Sequence, residues 1–169
     1  MKLSFQAWMV LTAAVLIGQS CDRLPRDPRD TLERVRGGTL RAGITEHPPW
    51  TLLASNQPSG IEVELLEAFA RELGAEIDWR PGSESELVEA LKRRELDVVV
   101  GGIDTSTPWK KHHAGTTRPY VELPTGKLLK EKHILLVPQG ENRWILTLDQ
   151  FLARQEAEVH RLLAESDRP

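Results

Sequence analysis

Two short stretches of this chain carry the residue types that grip small molecules. Asp104, Thr105, Ser106 and Thr107 place a carboxylate and three hydroxyls in succession, followed by Pro108 and by Trp109-Lys110-Lys111, an aromatic and two cations. Glu46-His47-Pro48-Pro49-Trp50 places a carboxylate, an imidazole and an indole around two prolines. Neither stretch has the serine, histidine and acid order, the phosphate loop or the paired carboxylates that catalysis uses, so binding without a cofactor is the expectation and an enzyme is not. His112-His113 with His47 and Glu46 suggests a metal, but no ligand spacing repeats, and solvated loop histidines are the better reading. The other groups have plain alternatives too. Asp104 suits the backbone amides of its own turn, and Trp50 suits a core cap as well as a ligand wall.

The elements around these stretches decide where they stand. Val98 to Val100, entered through Asp97 and stopped by Gly101-Gly102, is an uninterrupted β-branched run that suits a strand buried on both faces. In open α/β sheets ligands sit beyond the carboxyl ends of the strands, which is where the polar loop 104–107 would lie. Upstream, Thr31 to Arg36 reads as a short helix closed by Gly37-Gly38, and Thr39 to Thr45 as a strand that the two prolines stop. Leu65, Leu66, Phe69, Ala70 and Leu73 recur at helical spacing before Gly74. Ala75 to Trp79 is a second strand. Ser83 with Glu86 forms a capping box that opens a helix carrying Leu87, Val88 and Leu91 on one face. Strand Asp97 to Ile103 follows. The order strand, helix, strand, helix, strand, with crossovers too long for hairpins, dictates parallel strands in an α/β fold. His133 to Val137 reads as a further strand beside them, and Glu141 to Ala164 as one long helix with Trp144, Leu148, Phe151 and Leu152 on its apolar stripe.

Length and composition allow this fold and exclude several partners. The 169 residues, 40% hydrophobic, can bury one real core. A net charge of −3 offers no basic field for nucleic acid. One cysteine rules out an intrachain disulfide. Met1-Lys2 and the apolar run Phe5 to Ile17 read as an export signal, residues 1–20, too short for a membrane span. LIGQSC resembles a bacterial lipoprotein signal, which would make Cys21 the lipidated first residue and attach the protein to a membrane; Gly18-Gln19-Ser20 also fits ordinary signal cleavage. Residues 21–30, rich in proline and charge, read as a tether.

GGTLRAGITEHPPW, PSGIEVELLEAFARELGAEIDW, LVEALKRRELDVVVGGIDTSTPWKK and TTRPY, taken in this order and spacing, resemble bacterial extracellular solute-binding proteins of family 3. These are the periplasmic, often lipid-anchored receptors of amino-acid ABC transporters, in which two α/β lobes close on a ligand. The resemblance implies a periplasmic-binding-protein-like fold, a βαβαβ parallel-sheet core with a returning C-terminal strand and long helix. It also implies a small polar or anionic solute, such as an amino acid, and an ABC permease or another membrane partner. By the same resemblance Trp50 stacks on ligand, Asp104 to Thr107 line the strand ends, and Lys110 stands where amino-acid binders clamp the α-carboxylate with an arginine; Glu46, at the end of the first strand, is a further candidate ligand residue. Lysine supplies a point charge there in place of the planar two-point contact of arginine.

The chain departs from the family pattern in one place. Where family members cross to a second lobe after the Pro119-Tyr120 pair, only residues 121–132 precede the returning strand, enough for a connecting loop and no more. Residues 31–166 therefore read as one lobe. A single jaw buries less of a ligand than a clamp, so a homodimer or a partner protein docked on the former cleft face, in an interaction or sensor role, stands beside solute uptake as a second reading. Since some relatives of this fold are dehydratases of small carboxylic acids, a third reading is enzymatic.

Overall fold

The computed structural model of the chain describes residues 26–53, 57–111, 114–125 and 129–166, with the backbone alone for Lys110, Lys111, Thr125 and Leu129. The export segment, Cys21 and the first half of the tether lie outside the described residues. The elements run in chain order as α1 (Thr31–Val35), β1 (Thr39–Ile44), β2 (Leu52–Leu53), β3 (Pro58–Ser59), α2 (Ile61–Leu73), β4 (Glu76–Pro81), α3 (Glu84–Lys92) and β5 (Val98–Val100). A 3₁₀ turn (Pro108–Lys111) follows, then β6 (Ala114–Thr116), β7 (Val121–Thr125), β8 (Leu129–His133), β9 (Leu136–Pro138), α4 (Asn142–Ala153) and α5 (Glu156–Ser166).

The main sheet has the strand order β4-β1-β5-β9-β6. β1 pairs in parallel with both β4 and β5, as the βαβαβ order requires. The returning strand β9 is antiparallel to β5 and also pairs with β6, an edge strand that no pattern in the sequence announces. Three valines explain why β5 sits in the middle. Val98 and Val100 face the core under α1, α2, α4 and α5, while Val99 faces the second core under α3, and all three are fully buried. Helices therefore cover both faces, the arrangement that parallel strands need. The capping box is present as expected: Ser83 Oγ accepts from the Glu86 amide, and the Ser83 amide donates to Glu86 Oε2 at 3.0 Å.

Three expectations change. The single long C-terminal helix is two helices, broken after Ala153, where the Arg154 and Gln155 amides turn back to Phe151 and Leu152 carbonyls. Phe151 and Leu152 before the break and Val159 after it all reach the same core. Residues 121–132 are no plain loop. Val121–Thr125 and Leu129–His133 form an antiparallel ribbon in register from Val121↔His133 to Thr125↔Leu129. The end of the tether is docked: Asp27 accepts from the Trp144 amide (2.8 Å) and the Leu32 amide (3.1 Å), so one carboxylate caps α4 and α1 together.

The lower end of β5 is closed by charge. Asp97 is 1% exposed, and its carboxylate accepts from the Arg41 amide (3.0 Å), from Arg41 Nε (3.1 Å) and Nη2 (2.8 Å), and from Arg34. Its carbonyl accepts from the Trp144 indole at 2.9 Å.

Candidate solute site at the carboxyl ends of the strands

At the upper end the chain leaves β1 and β5 side by side, because the two strands are parallel neighbours. The loop after β1 turns tightly. His47 and Thr51 exchange backbone hydrogen bonds of 2.9 and 3.0 Å around a cis Pro48–Pro49 peptide, and Thr51 Oγ1 donates to the Thr45 carbonyl at 2.6 Å. The Pro49 and Trp50 carbonyls then accept from the Ile61 and Glu62 amides, so this loop caps α2. Gly60 makes that approach feasible: at φ 114° a Cβ there would stand 2.6 Å from the Trp50 carbonyl oxygen.

α2 in turn carries Glu62 into the interior. Its carboxylate is fully buried and accepts from the Gly101 amide (2.7 Å), the Gly102 amide (3.0 Å) and the Tyr120 hydroxyl (2.6 Å). All three donors are neutral. Burial pushes the Glu62 carboxyl above the ordinary range, and the Tyr120, Gly102 and Gly101 hydrogen bonds hold it back only in part. Tyr120 is raised well above its usual value by burial first, then by the charge of Glu62. Glycine is required at 102, where φ is 63° and a Cβ would meet Trp50 Cδ1 at 2.6 Å.

The sequence-predicted residues distribute around this floor. Trp50 is 4% exposed; its ring lies 3.9 Å from that of His133 and edge-on to Tyr120 at 6.1 Å. The indole thus supports the floor, as a core cap does, and offers no open stacking wall. Glu46 is exposed at the end of β1, where Oε1 accepts from the Leu53 amide at 3.4 Å. The Asp104 carboxylate accepts from the Ser106 amide, and its carbonyl accepts from the Thr107 amide at 3.2 Å, the turn-stabilising role open to any aspartate in this place. The Thr105 amide donates to the Lys132 carbonyl at 2.9 Å, and Thr107 Oγ1 donates to Glu84 Oε1 at 3.4 Å. Ser106 is exposed. Lys110 has its backbone in the 3₁₀ turn, and its side chain lies outside the described residues, as do His112 and His113. Glu46 and the loop 104–107 thus follow the ends of adjacent strands, while Thr107 reaches Glu84 of α3.

Sequence reasoning missed the three residues that bind this end together: Glu62, Tyr120 and His133. His133 is 1% exposed, its Nδ1 has no hydrogen-bond partner among the described residues, and Nε2 lies 3.4 Å from Glu131 Oε1. Burial lowers its pKa, against the opposing charges of Glu131 and Asp104. A signal for Glu62 existed in the glycine pair after an all-apolar strand, since two free amides there need an acceptor. The acceptor itself looked like any glutamate in a first helical turn. Among the described residues no group of histidines, cysteines and carboxylates could hold a metal ion, and no helix is long and apolar enough to cross a membrane.

Known proteins resemble this chain over most of its length. The membrane-bound lytic murein transglycosylase F of Vibrio cholerae is 33% identical over 124 residues, 71% of this chain and 23% of that protein. The chain thus spans about a quarter of the length of such curated relatives. ABC transporter arginine-binding protein 1 of Escherichia coli is 30% identical over 77 residues, 45% of this chain and 31% of that one. Among solved structures, the arginine-bound form of domain 1 from TmArgBP superposes with a TM-score of 0.63 at 22% identity, covering 72% of this chain and 97% of that one. An ancestral cationic amino acid solute binding protein does so with 0.68 at 16% identity, over 82% and 100%. At such identities the superpositions speak for the fold alone. Residues 40–164 match the family as a whole, so the chain belongs to the bacterial extracellular solute-binding proteins, family 3.

Proposed function

We propose that this protein is an exported, membrane-tethered solute-binding lobe that receives a small polar solute, such as an amino acid, at the carboxyl ends of β1 and β5. The observation that carries the reading is the division of labour at those ends. Glu62 occupies the Gly101 and Gly102 amides, which fixes the strand end from which the Asp104–Thr107 loop departs, beside Glu46 at the end of the neighbouring parallel strand. Preorganised polar groups on rigid strand ends are what a solute site needs. The buried carboxylate has three donors already and is closed to solvent, which supports binding over catalysis. The arginine-bound domain 1 from TmArgBP supports the idea that one lobe of such a receptor can hold a solute.

The receptor-type relatives support a transport role, with an ABC permease as the membrane partner. The likeness to lytic transglycosylase F favours a second reading, in which the lobe is a sensor or docking module of an envelope system that acts on murein, with a partner protein on the strand-end face. Calorimetry at several protein concentrations, with sedimentation alongside, separates them. L-Arginine or L-glutamate binding to the monomer at about millimolar strength, near −4 kcal/mol, is expected for a half-open site. Thr105→Ala with Lys110→Ala should abolish it. Affinity that rises with the dimer fraction would point to a second copy as the missing jaw. No heat at any concentration would transfer the assignment to partner docking.

A further inference from the structure

Three backbone hydrogen bonds meet around His133: Tyr120 N–H to the His133 carbonyl (3.0 Å), Ile134 N–H to the Ile103 carbonyl (2.8 Å), and Thr105 N–H to the Lys132 carbonyl (2.9 Å). An isolated bridge pairs Asp104 with His133. The ribbon β7–β8, the loop after β5 and the loop after β1 are thus joined at one residue. Its imidazole is pressed against Trp50 at 3.9 Å, with a buried Nδ1 that has no hydrogen-bond partner among the described residues.

We propose that His133 is a pH-sensitive latch: neutral, it closes the junction between the β7–β8 ribbon and the Asp104–Thr107 loop, and protonated, it releases them. A second N–H in the ring would place a charged donor at a residue that is 1% exposed, where Nδ1 has no hydrogen-bond partner among the described residues. That burial cost opposes the attraction of a cation to the Trp50 face. Among the described residues the charged and titratable groups that face the ring are few. Glu131 on its own strand, 3.4 Å from Nε2, and Asp104 on the loop after β5 favour the cation, as does the Gly102 backbone more weakly; His47 on the loop after β1 opposes it. Tyr120 lies 6.4 Å away and donates to Glu62 of α2, which faces the hydroxyl and not the imidazole. Burial outweighs the groups that favour the cation, so the closed state prefers neutral His133.

The sign follows. A folded-state pKa below the ordinary value near 6.5 means that the open state binds the proton more readily. Closure is complete above pH 6.5 and is lost as pH falls from there toward the folded-state value. In that window the opening equilibrium rises by up to about tenfold per pH unit. Glu62 works in the opposite direction, since its raised pKa favours the closed state on acidification. The two can therefore be told apart.

The consequence for solute rests on the site proposed above, because release of the Thr105 amide would unseat the 104–107 loop. The latch itself is tested without solute, so its failure and the failure of the solute reading are separate events. Amide hydrogen exchange, corrected for the intrinsic rate, is measured at about pH 7.5, 6.5 and 5.5, spanning the window in which the proton linkage acts. The protection of Thr105, Tyr120 and Ile134 is expressed relative to Ala42 and Ile44 in β1. The expected result is a fall of this ratio by at least several-fold toward the acidic end in the native sequence, absent in His133→Gln and His133→Phe. A ratio that stays flat in the native sequence, or that falls equally in the variants, overturns the latch. Should both variants fail to fold, the imidazole is followed directly by its Cε1–H resonance in the native chain. A titration midpoint that coincides with the loss of protection supports the latch, and one that does not refutes it.

Discussion

The two ends of β5 are both closed by a buried carboxylate, and they solve the problem in different ways. At the lower end Asp97 receives two guanidinium groups and a backbone amide, so charge meets charge. At the upper end Glu62, equally buried, receives two glycine amides and a phenol, with no cation paired to it among the described residues. A buried charge with a cation is neutralised and locks its surroundings. A buried charge held by neutral dipoles alone stays sensitive to its own protonation, as the raised pKa of Glu62 reflects. The difference teaches which end is scaffold and which is poised: the ionic end anchors α1 and β1, and the dipolar end carries the loops of the candidate site.

Breaking the ionic end should have the largest effect. Arg41→Met removes the Nε and Nη2 hydrogen bonds to the Asp97 carboxylate, keeps the backbone one, and leaves that carboxylate buried with Arg34 as its cation. The expected loss in urea unfolding is about 3 kcal/mol, the lower end of the range for a broken buried pair. A loss within about ±0.5 kcal/mol, usual for surface substitutions, would mean that the arginines only decorate the sheet edge.

Glu62→Gln tests the dipolar end. The amide group keeps one acceptor but turns an N–H₂ toward groups that also donate, so a loss of about 2 kcal/mol is expected at neutral pH. The pH course sharpens the comparison. Because the folded-state pKa of Glu62 lies above its unfolded value near 4.5, the native chain is favoured at low pH and loses that advantage as pH rises through the folded-state value. The deficit of Glu62→Gln should therefore shrink as pH rises from about 4.5 to neutrality, read from urea midpoints across that range. A deficit that widens over the same range would show that the network stabilises the ionised form more than burial opposes it.

The smallest effect is expected from charge without burial. Glu122 pairs with Lys132 (2.6 Å) and Lys130 (3.2 Å) on the exposed ribbon. These contacts lower the Glu122 pKa, yet water screens them. Glu122→Ala should leave the urea midpoint unmoved at both low and high salt. A clear shift would mean that the ribbon is held by its ion pairs and not by Val121 and the His133 junction.

Reading the chain alone reaches most of the scaffold, and for identifiable reasons. The valine run, the Ser83–Glu86 box and the apolar repeat of α2 are local signals, and each reappears in its expected element, although the strand expected to reach Ile103 ends at Val100. The same holds for Asp104, whose turn geometry is written into the residues beside it. Local signals also mislead. The apolar stripe after Glu141 continues across Arg154, so nothing short-range announces the break between α4 and α5. The 121–132 segment contains Pro124 and Gly126, which read as loop, although pairing across the ribbon makes strands of its flanks.

What the amino-acid order determined by itself, then, is the parallel βαβαβ core and the position of a polar loop at its carboxyl edge, because periodicity and strand crossovers depend on neighbours in sequence. What only the tertiary structure decided is what lies under that loop. Glu62, Gly101, Tyr120 and His133 come from widely separated parts of the chain, and no spacing rule connects them. They meet because a fully buried carboxylate must find donors wherever the fold supplies them, and here the fold supplies two strand-end amides and a phenol. The same packing turned Trp50 from an available wall into a buried support: the ribbon brings His133 onto its face, a contact that depends on the whole path of the chain between them.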